Sequence, residues 1–300
     1  MVAWFFRNSW NLCACSNPLN FRRVFVILFV CLQLQYCQDT SQLKKEAHSK
    51  EVPKLEELDI KLEELNHDNS TNQNQNSLVY HKISNFRKAK KLLTKIYTDK
   101  QKDFYCNCNF LRSKKEGYTV TQIQKDCGLK ARLNQERAFR LEWEHIMPAH
   151  TFGQNLSCWK QEVCEKNGIS FKGRKCCRRI DPLFQQMESD LHNIHPSPGE
   201  INADRSSFPY GIVVGEARKY GSCDFEVDFH NKLAEPREEI RGDIARTYFY
   251  MNYRYQIQID PKQWKLFQSW AEEDPPDEWE MERNNRIKKI QGNSNPFIDR

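Results

Sequence analysis

The sequence predicts an α+β fold, a mixed α/β single domain stapled by disulfides. Segments with apolar residues at helical spacing carry helix-start signals, most clearly Asp181 as N-cap with Pro182 at the first helical position. In residues 223–229, Phe225, Val227 and Phe229 alternate with Asp224, Glu226 and Asp228, the period of a half-buried strand. Eight of the 12 cysteines, an even set, lie beyond an export-type leader and read as a disulfide framework.

Composition divides the 300 residues into three stretches. Residues 1–37 contain Arg7, Arg22 and Arg23 but no acid, and Arg22 and Arg23 lead directly into an apolar run at 24–32. A basic n-region before an apolar h-region is the pattern of a secretory signal peptide, and the run is too short for a comfortable membrane span. Lipidation at Cys37 is a weaker alternative, because bulky Tyr36 stands where a small residue is expected, and an uncleaved anchor is a third. Residues 38–79 are rich in Gln, Asn, Ser, Lys and Glu with few aromatics. Such a segment buries too little apolar surface to offset its chain entropy, so a polar disordered linker is expected, with a short amphipathic helix at 55–65. The folded domain is expected over 80–300. Without the three leader arginines the formal net charge falls from +6 to +3, too small an excess to argue for a polyanion partner by itself.

Within that domain, residues 85–97 place apolar side chains at helical intervals opposite many lysines, which predicts an amphipathic helix with a basic face. A turn at Lys115, Glu116 and Gly117 precedes a strand around 118–121. Next comes Leu141-Glu142-Trp143-Glu144-His145, read as a strand whose regular pairing Pro148 ends. Residues 152–179 read as a loop carrying four cysteines and the basic turn Lys172-Gly173-Arg174-Lys175. A helix over 181–192 leads into a polar stretch at 198–205 that suits either a hydrogen-bonded loop or a metal or phosphate contact. After the 223–229 strand, helices are expected over 236–253, 261–272 and 276–290. Cys176 and Cys177 are neighbours that rarely bridge each other without strain, so each is expected to pair elsewhere, as are Cys106 and Cys108. A zinc cluster is disfavoured because no Cys-x-x-Cys pair or finger-type Cys-His spacing occurs.

The chemistry centres on Glu144 and His145: a carboxylate holds a hard cation, and a neutral imidazole takes a proton from water near pH 7. Adjacent strand residues point to opposite faces, so both serve one phosphate only where the backbone bends or the phosphate sits at the strand edge. The bland reading is a strand with solvent-facing glutamates. Joined by Arg174 in a basic loop, Glu188 on a helix and Asn202 in a polar segment, the pair suits hydrolysis of a phosphodiester, which needs an activated water, a Lewis acid and a cation for developing charge. No Gly-rich phosphate loop, serine elbow or His-Glu-x-x-His helix competes.

These blocks carry a resemblance. Leu141-Glu142-Trp143-Glu144-His145 with Pro148-Ala149, Gly173-Arg174-Lys175, Met187-Glu188, Gly199-Glu200-Ile201-Asn202 with Asp204-Arg205, Arg241-Gly242-Asp243-Ile244-Ala245-Arg246, and Gln291-Gly292-Asn293 resemble the exported bacterial endonuclease I family, in the family's order. The resemblance covers about 86–297. It implies a periplasmic or secreted, non-sequence-specific nuclease for DNA and RNA with a ββα-metal (His-Me) finger site. His145 would be the general base, and Glu144 and Asn202 would ligate Mg²⁺ or another divalent ion such as Mn²⁺. Arg174 would bind the phosphate and stabilise the transition state, Glu188 would support the site, and Lys175 and Arg205 would join Arg174 in substrate binding. His192 and Asn193 would be supporting residues, and His150 and His195 structural or peripheral. Family members commonly have a cysteine where this chain has Met281 and another near the C-terminus, whereas Cys164 and one of Cys176 and Cys177 are additional, so the bridges would be partly rewired. A monomer without stable membrane insertion after leader cleavage is expected. The competing classes are a non-catalytic nucleic-acid-binding or surface-interaction protein and, without a zinc motif to support it, a metalloprotease.

Overall fold

The computed structural model describes residues 82–299 apart from Ser84, Glu116, Gly117 and Glu216. The expected leader (1–37), linker (38–79), short helix (55–65) and apex of the 115–117 turn lie outside the described residues.

Helix α1, Phe86–Ile96, forms where its pattern demands. The Asn85 side chain accepts from the Lys88 N–H at 2.9 Å, Ala89, Leu93 and Ile96 are buried, and Lys88, Lys91 and Lys95 face solvent. There follow β1 (Phe110–Lys115), β2 (Tyr118–Ile123), α2 (Gln135–Ala138), β3 (Leu141–His145), α3 (Ala149–Gly153), α4 (Ser157–Lys160), β4 (Cys164–Lys166), β5 (Ile169–Phe171), α5 (Arg174–Ile180) and α6 (Pro182–Ser189). After a 3₁₀ turn come β6 (Ile194–Pro198), α7 (Gly199–Arg205), β7 (Phe225–Asp228), β8 (Leu233–Pro236), α8 (Arg241–Tyr255), α9 (Pro261–Glu273) and α10 (Glu278–Gln291). The described strands form antiparallel pairs, β1 with β2, β3 with β6, β4 with β5 and β7 with β8.

Three stretches differ from expectation. The 152–179 loop is instead the end of α3, then α4, the β4–β5 hairpin and α5. Each piece is too short for periodicity to reveal or for its own propensity to stabilise; the bridges Cys158–Cys177 and Cys164–Cys176 hold them together. The polar 198–205 stretch is helix α7, entered at Pro198. The helix expected from 236 starts at Arg241, because residues 233–236 pair with β7 and a 3₁₀ turn intervenes.

Neighbouring cysteines pair apart as expected: Cys106 with Cys223, Cys108 with Cys127, and Cys176 and Cys177 with different partners on β4 and α4. The C-terminal helices bury Ile244, Phe249 and Met251 of α8 against Phe267 and Trp270 of α9. The same core continues through Ile146, Met147, Phe184 and Ile194 beneath the β3–β6 pair. No helix among the described residues is long and apolar enough to cross a membrane.

Candidate active site

Strands β3 and β6 and helix α7 make one packed β-β-α arrangement. Across the ladder Glu144 faces His195 and His145 faces Ile194. Side chains alternate along β3, so Glu142 and Glu144 project toward α7 while His145 projects toward α1 and α6. Beyond His145 the strand exit is clamped by Asn193, which accepts from the Met147 N–H at 2.7 Å and donates to the Met147 carbonyl at 3.0 Å. His192 is buried with Nε2 3.1 Å from the Asn293 carbonyl, and buried His195 has Nδ1 3.3 Å from the Tyr97 hydroxyl.

His145 has Nε2 2.9 Å from the backbone oxygen of Glu188. A carbonyl only accepts, so Nε2 carries the hydrogen and Nδ1 keeps its lone pair. The ring packs 4.8 Å from Phe86, centroid to centroid. Burial, reinforced by the Arg174 charge, lowers its pKa to about 4, which keeps the imidazole neutral at pH 7.

Glu144 is 5% exposed. Its Oε1 accepts from Arg205 Nη1 at 3.0 Å and the Tyr105 hydroxyl at 3.1 Å, and Oε2 from the His145 N–H at 3.1 Å. Burial raises its pKa against the opposing pull of Arg205. Asn202 donates Nδ2 to Glu142 Oε2 at 3.0 Å, which leaves Oδ1 as the atom able to ligate.

Arg174 opens α5 behind Gly173, whose φ of +82° lies in the region that favours glycine. Gly173 donates its N–H to the Cys158 carbonyl at 3.0 Å, tying the turn to the disulfide-held segment. Arg174 Nε donates to Glu188 Oε1 at 2.7 Å, and Arg178, one turn on, donates Nε to Glu188 Oε2 at 2.7 Å. Burial works to raise the Glu188 pKa, but the two guanidinium groups outweigh it and hold the carboxyl below its ordinary value. Glu188 thus orients His145 through its backbone and Arg174 through its side chain.

Glu144, His145, Arg174 and Asn202 line one open cleft of about 370 Å³, with Arg137, His150, Trp159 and Ser206 around them. Glu188 is buried beneath it, and Lys175 is exposed on α5. Arg205 also lines the cleft. Its side chain is 0% exposed, and besides Glu144 it donates to the His145 and Ile146 carbonyls at 3.0 and 2.6 Å. The buried guanidinium, paired with the carboxylate, anchors Glu144.

The donor set suits a hard divalent cation: Glu144 and Asn202, both with side-chain oxygens, line the same cleft, and its volume leaves room for the waters Mg²⁺ retains. The grouping of Asp103 with Cys106 and Cys108 does not suit one, because both sulfurs are in disulfides and the carboxylate accepts from the Cys106 and Cys108 N–H groups. Sequence reasoning missed Glu142, Arg137, Tyr105 and Arg178 as members of the site's framework. Arg178 carried a signal, being one helical turn from Arg174; Tyr105, 39 positions before Glu144, carried none.

The endonuclease I family profile matches residues 57–300. Endonuclease-1 of Buchnera aphidicola subsp. Acyrthosiphon pisum (strain APS) is 42% identical over 216 residues, 72% of this chain and 81% of that protein. An extracellular deoxyribonuclease of Aeromonas hydrophila is 40% identical over 219 residues, 73% of this chain and 89% of that protein. A periplasmic deoxyribonuclease of the same organism is 39% identical over 216 residues, 72% of this chain and 85% of that protein. The chain is an enzyme of the endonuclease I family.

Proposed function

We propose that this enzyme is a secreted or periplasmic, Mg²⁺-dependent, non-sequence-specific endonuclease that hydrolyses DNA and RNA as a monomer, through a ββα-metal (His-Me) finger. The reading rests chiefly on one observation: a neutral imidazole with a free lone pair on Nδ1 shares a cleft with Glu144, Asn202 and Arg174. The extracellular and periplasmic relatives support export.

In this reading Nδ1 of His145 takes a proton from water as the water oxygen attacks phosphorus, while Nε2 stays hydrogen-bonded to the Glu188 carbonyl and fixes the ring. Arg174, with Nε committed to Glu188, presents its remaining N–H groups to the phosphate as negative charge develops. Glu144 and Asn202 would hold Mg²⁺, or Mn²⁺ in its place, which would supply positive charge against the phosphate and the oxygen that leaves as its bond to phosphorus breaks. Arg205 and Tyr105 fix the Glu144 carboxylate from behind. Lys175 adds positive potential along the substrate backbone.

The test is cleavage of plasmid DNA and of RNA by oxidised protein with and without EDTA. Both substrates are expected to be cut with Mg²⁺ and spared with EDTA, and His145→Ala should abolish cutting while retaining DNA binding. Intact substrates after incubation with folded protein and Mg²⁺ would overturn the proposal in favour of a binding protein, and full activity in His145→Ala would overturn the base assignment.

A further inference from the structure

We infer that Glu142 sets the orientation of the Asn202 amide and is therefore a positioning residue for the divalent metal; this rests on the reading that gives the metal to Glu144 and Asn202. Asn202 Nδ2 donates to Glu142 Oε2 at 3.0 Å. A carboxylate only accepts, so the amide must turn its NH₂ toward Glu142 and its Oδ1 away from it. The flipped amide would set two acceptor oxygens against each other at hydrogen-bond distance and offer the cation an NH₂. Only one amide orientation satisfies both neighbours.

Glu142 is itself immobilised. Arg137 grips it with Nε on Oε1 at 3.1 Å and Nη2 on Oε2 at 3.0 Å, and Arg140 adds Nε and Nη2 on Oε1 at 3.2 and 2.7 Å. Two arginines on one carboxylate hold it both charged and fixed. The start of α7 is shaped to admit it: a Cβ on Gly199 would lie 2.8 Å from Glu142 Oε1 and equally near the Arg137 carbonyl. The helix bearing Asn202 therefore begins with the one residue that lets the carboxylate reach past it. Glu142 and Glu144 are two apart on β3 and share a face, so a single strand supplies one metal ligand and the support for the other.

The test measures Mn²⁺ affinity of the oxidised full chain by the loss of free-ion EPR signal, with folding checked by thermal melting. Glu142→Gln keeps the size but must turn its own NH₂ toward an arginine or toward Asn202, where it would select the flipped amide. It is expected to weaken Mn²⁺ binding by about ten- to hundredfold. Asn202→Asp retains an oxygen ligand but sets a second carboxylate against Glu142, so it should bind more weakly than wild type despite its added charge. Glu142→Gln with Asn202→Asp restores a donor-acceptor pair with the Asp as acceptor, and should bind more tightly than Asn202→Asp alone. A role confined to tying down Arg137 and Arg140 predicts the reverse order, since charge alone makes Asn202→Asp the tightest of all. Affinity of folded Glu142→Gln within about twofold of wild type, or Asn202→Asp binding more tightly than wild type, overturns the inference. Wild-type protein that binds no Mn²⁺ overturns the metal reading itself and this inference with it.

Discussion

Replacing Arg205 by methionine decides whether this arginine serves the substrate or the fold. Its guanidinium is 0% exposed and makes three bonds, to Glu144 Oε1 at 3.0 Å and to the His145 and Ile146 carbonyls at 3.0 and 2.6 Å. Methionine would fill much of the volume but strand a carboxylate that is 5% exposed, together with two backbone oxygens. Removing one partner of a buried ion pair costs about 3–5 kcal/mol, a large share of the roughly 5–15 kcal/mol that holds a domain together. The loss should also depend on pH. Burial already raises the Glu144 pKa while Arg205 pulls it down, so without Arg205 it rises further. An acid whose folded-state pKa is raised favours folding below its unfolded value and loses that contribution as pH climbs through the folded value. Urea denaturation should therefore show a smaller deficit at about pH 5 than at about pH 8. Mg²⁺ should recover part of the loss at the higher pH by binding the native state. A stability change below about 1 kcal/mol with a weakened substrate KM would return Arg205 to the substrate and refute the buried-anchor argument.

Other outcomes follow from the same geometry. Glu188→Gln leaves the backbone oxygen on His145 but removes the charge that aligns Arg174, so kcat should fall about tenfold to a hundredfold with the His145 tautomer unchanged by NMR; an unaltered kcat would separate Arg174 from catalysis. In the metal-free protein the His145 Cε1 proton should titrate with a midpoint near 4, so the base stays neutral down to well below pH 6; a midpoint at the ordinary histidine value would mean the ring is solvated. Replacing both Cys164 and Cys176 by serine opens a bridge of sequence separation 12, with an expected loss of about 2–3 kcal/mol in chemical denaturation. Because α5 carries Arg174, cleavage should drop as well; full activity would show that Cys158–Cys177 alone aligns the helix.

Periodicity and capping, which are local, made several elements legible. The basic helix at 85–97, the Pro182 helix, the β3 strand and the last two C-terminal helices all lie close to where their residues predict them. The 152–179 stretch was illegible because its helices and hairpin are shorter than the windows in which a period can register, and cross-links rather than propensity hold them. Strand β8 was hidden for a related reason: four residues ending in Pro236 become a strand only because β7 pairs with them.

At the site, sequence by itself determined which chemistry was on offer. Glu144, His145, Arg174 and Asn202 are the residue types a metal-assisted phosphodiester hydrolysis needs, and they stand in an order that resembles a known family. Which of them meet, and from which side, was decided only by tertiary structure. Arg205 illustrates the division: the resemblance implies a substrate contact for it, and only the fold shows that its buried guanidinium is paired with Glu144 at the cleft. Burial and pairing come from residues distant in the chain, and the same cation binds a phosphate in a cleft or a carboxylate in the core according to which elements close around it.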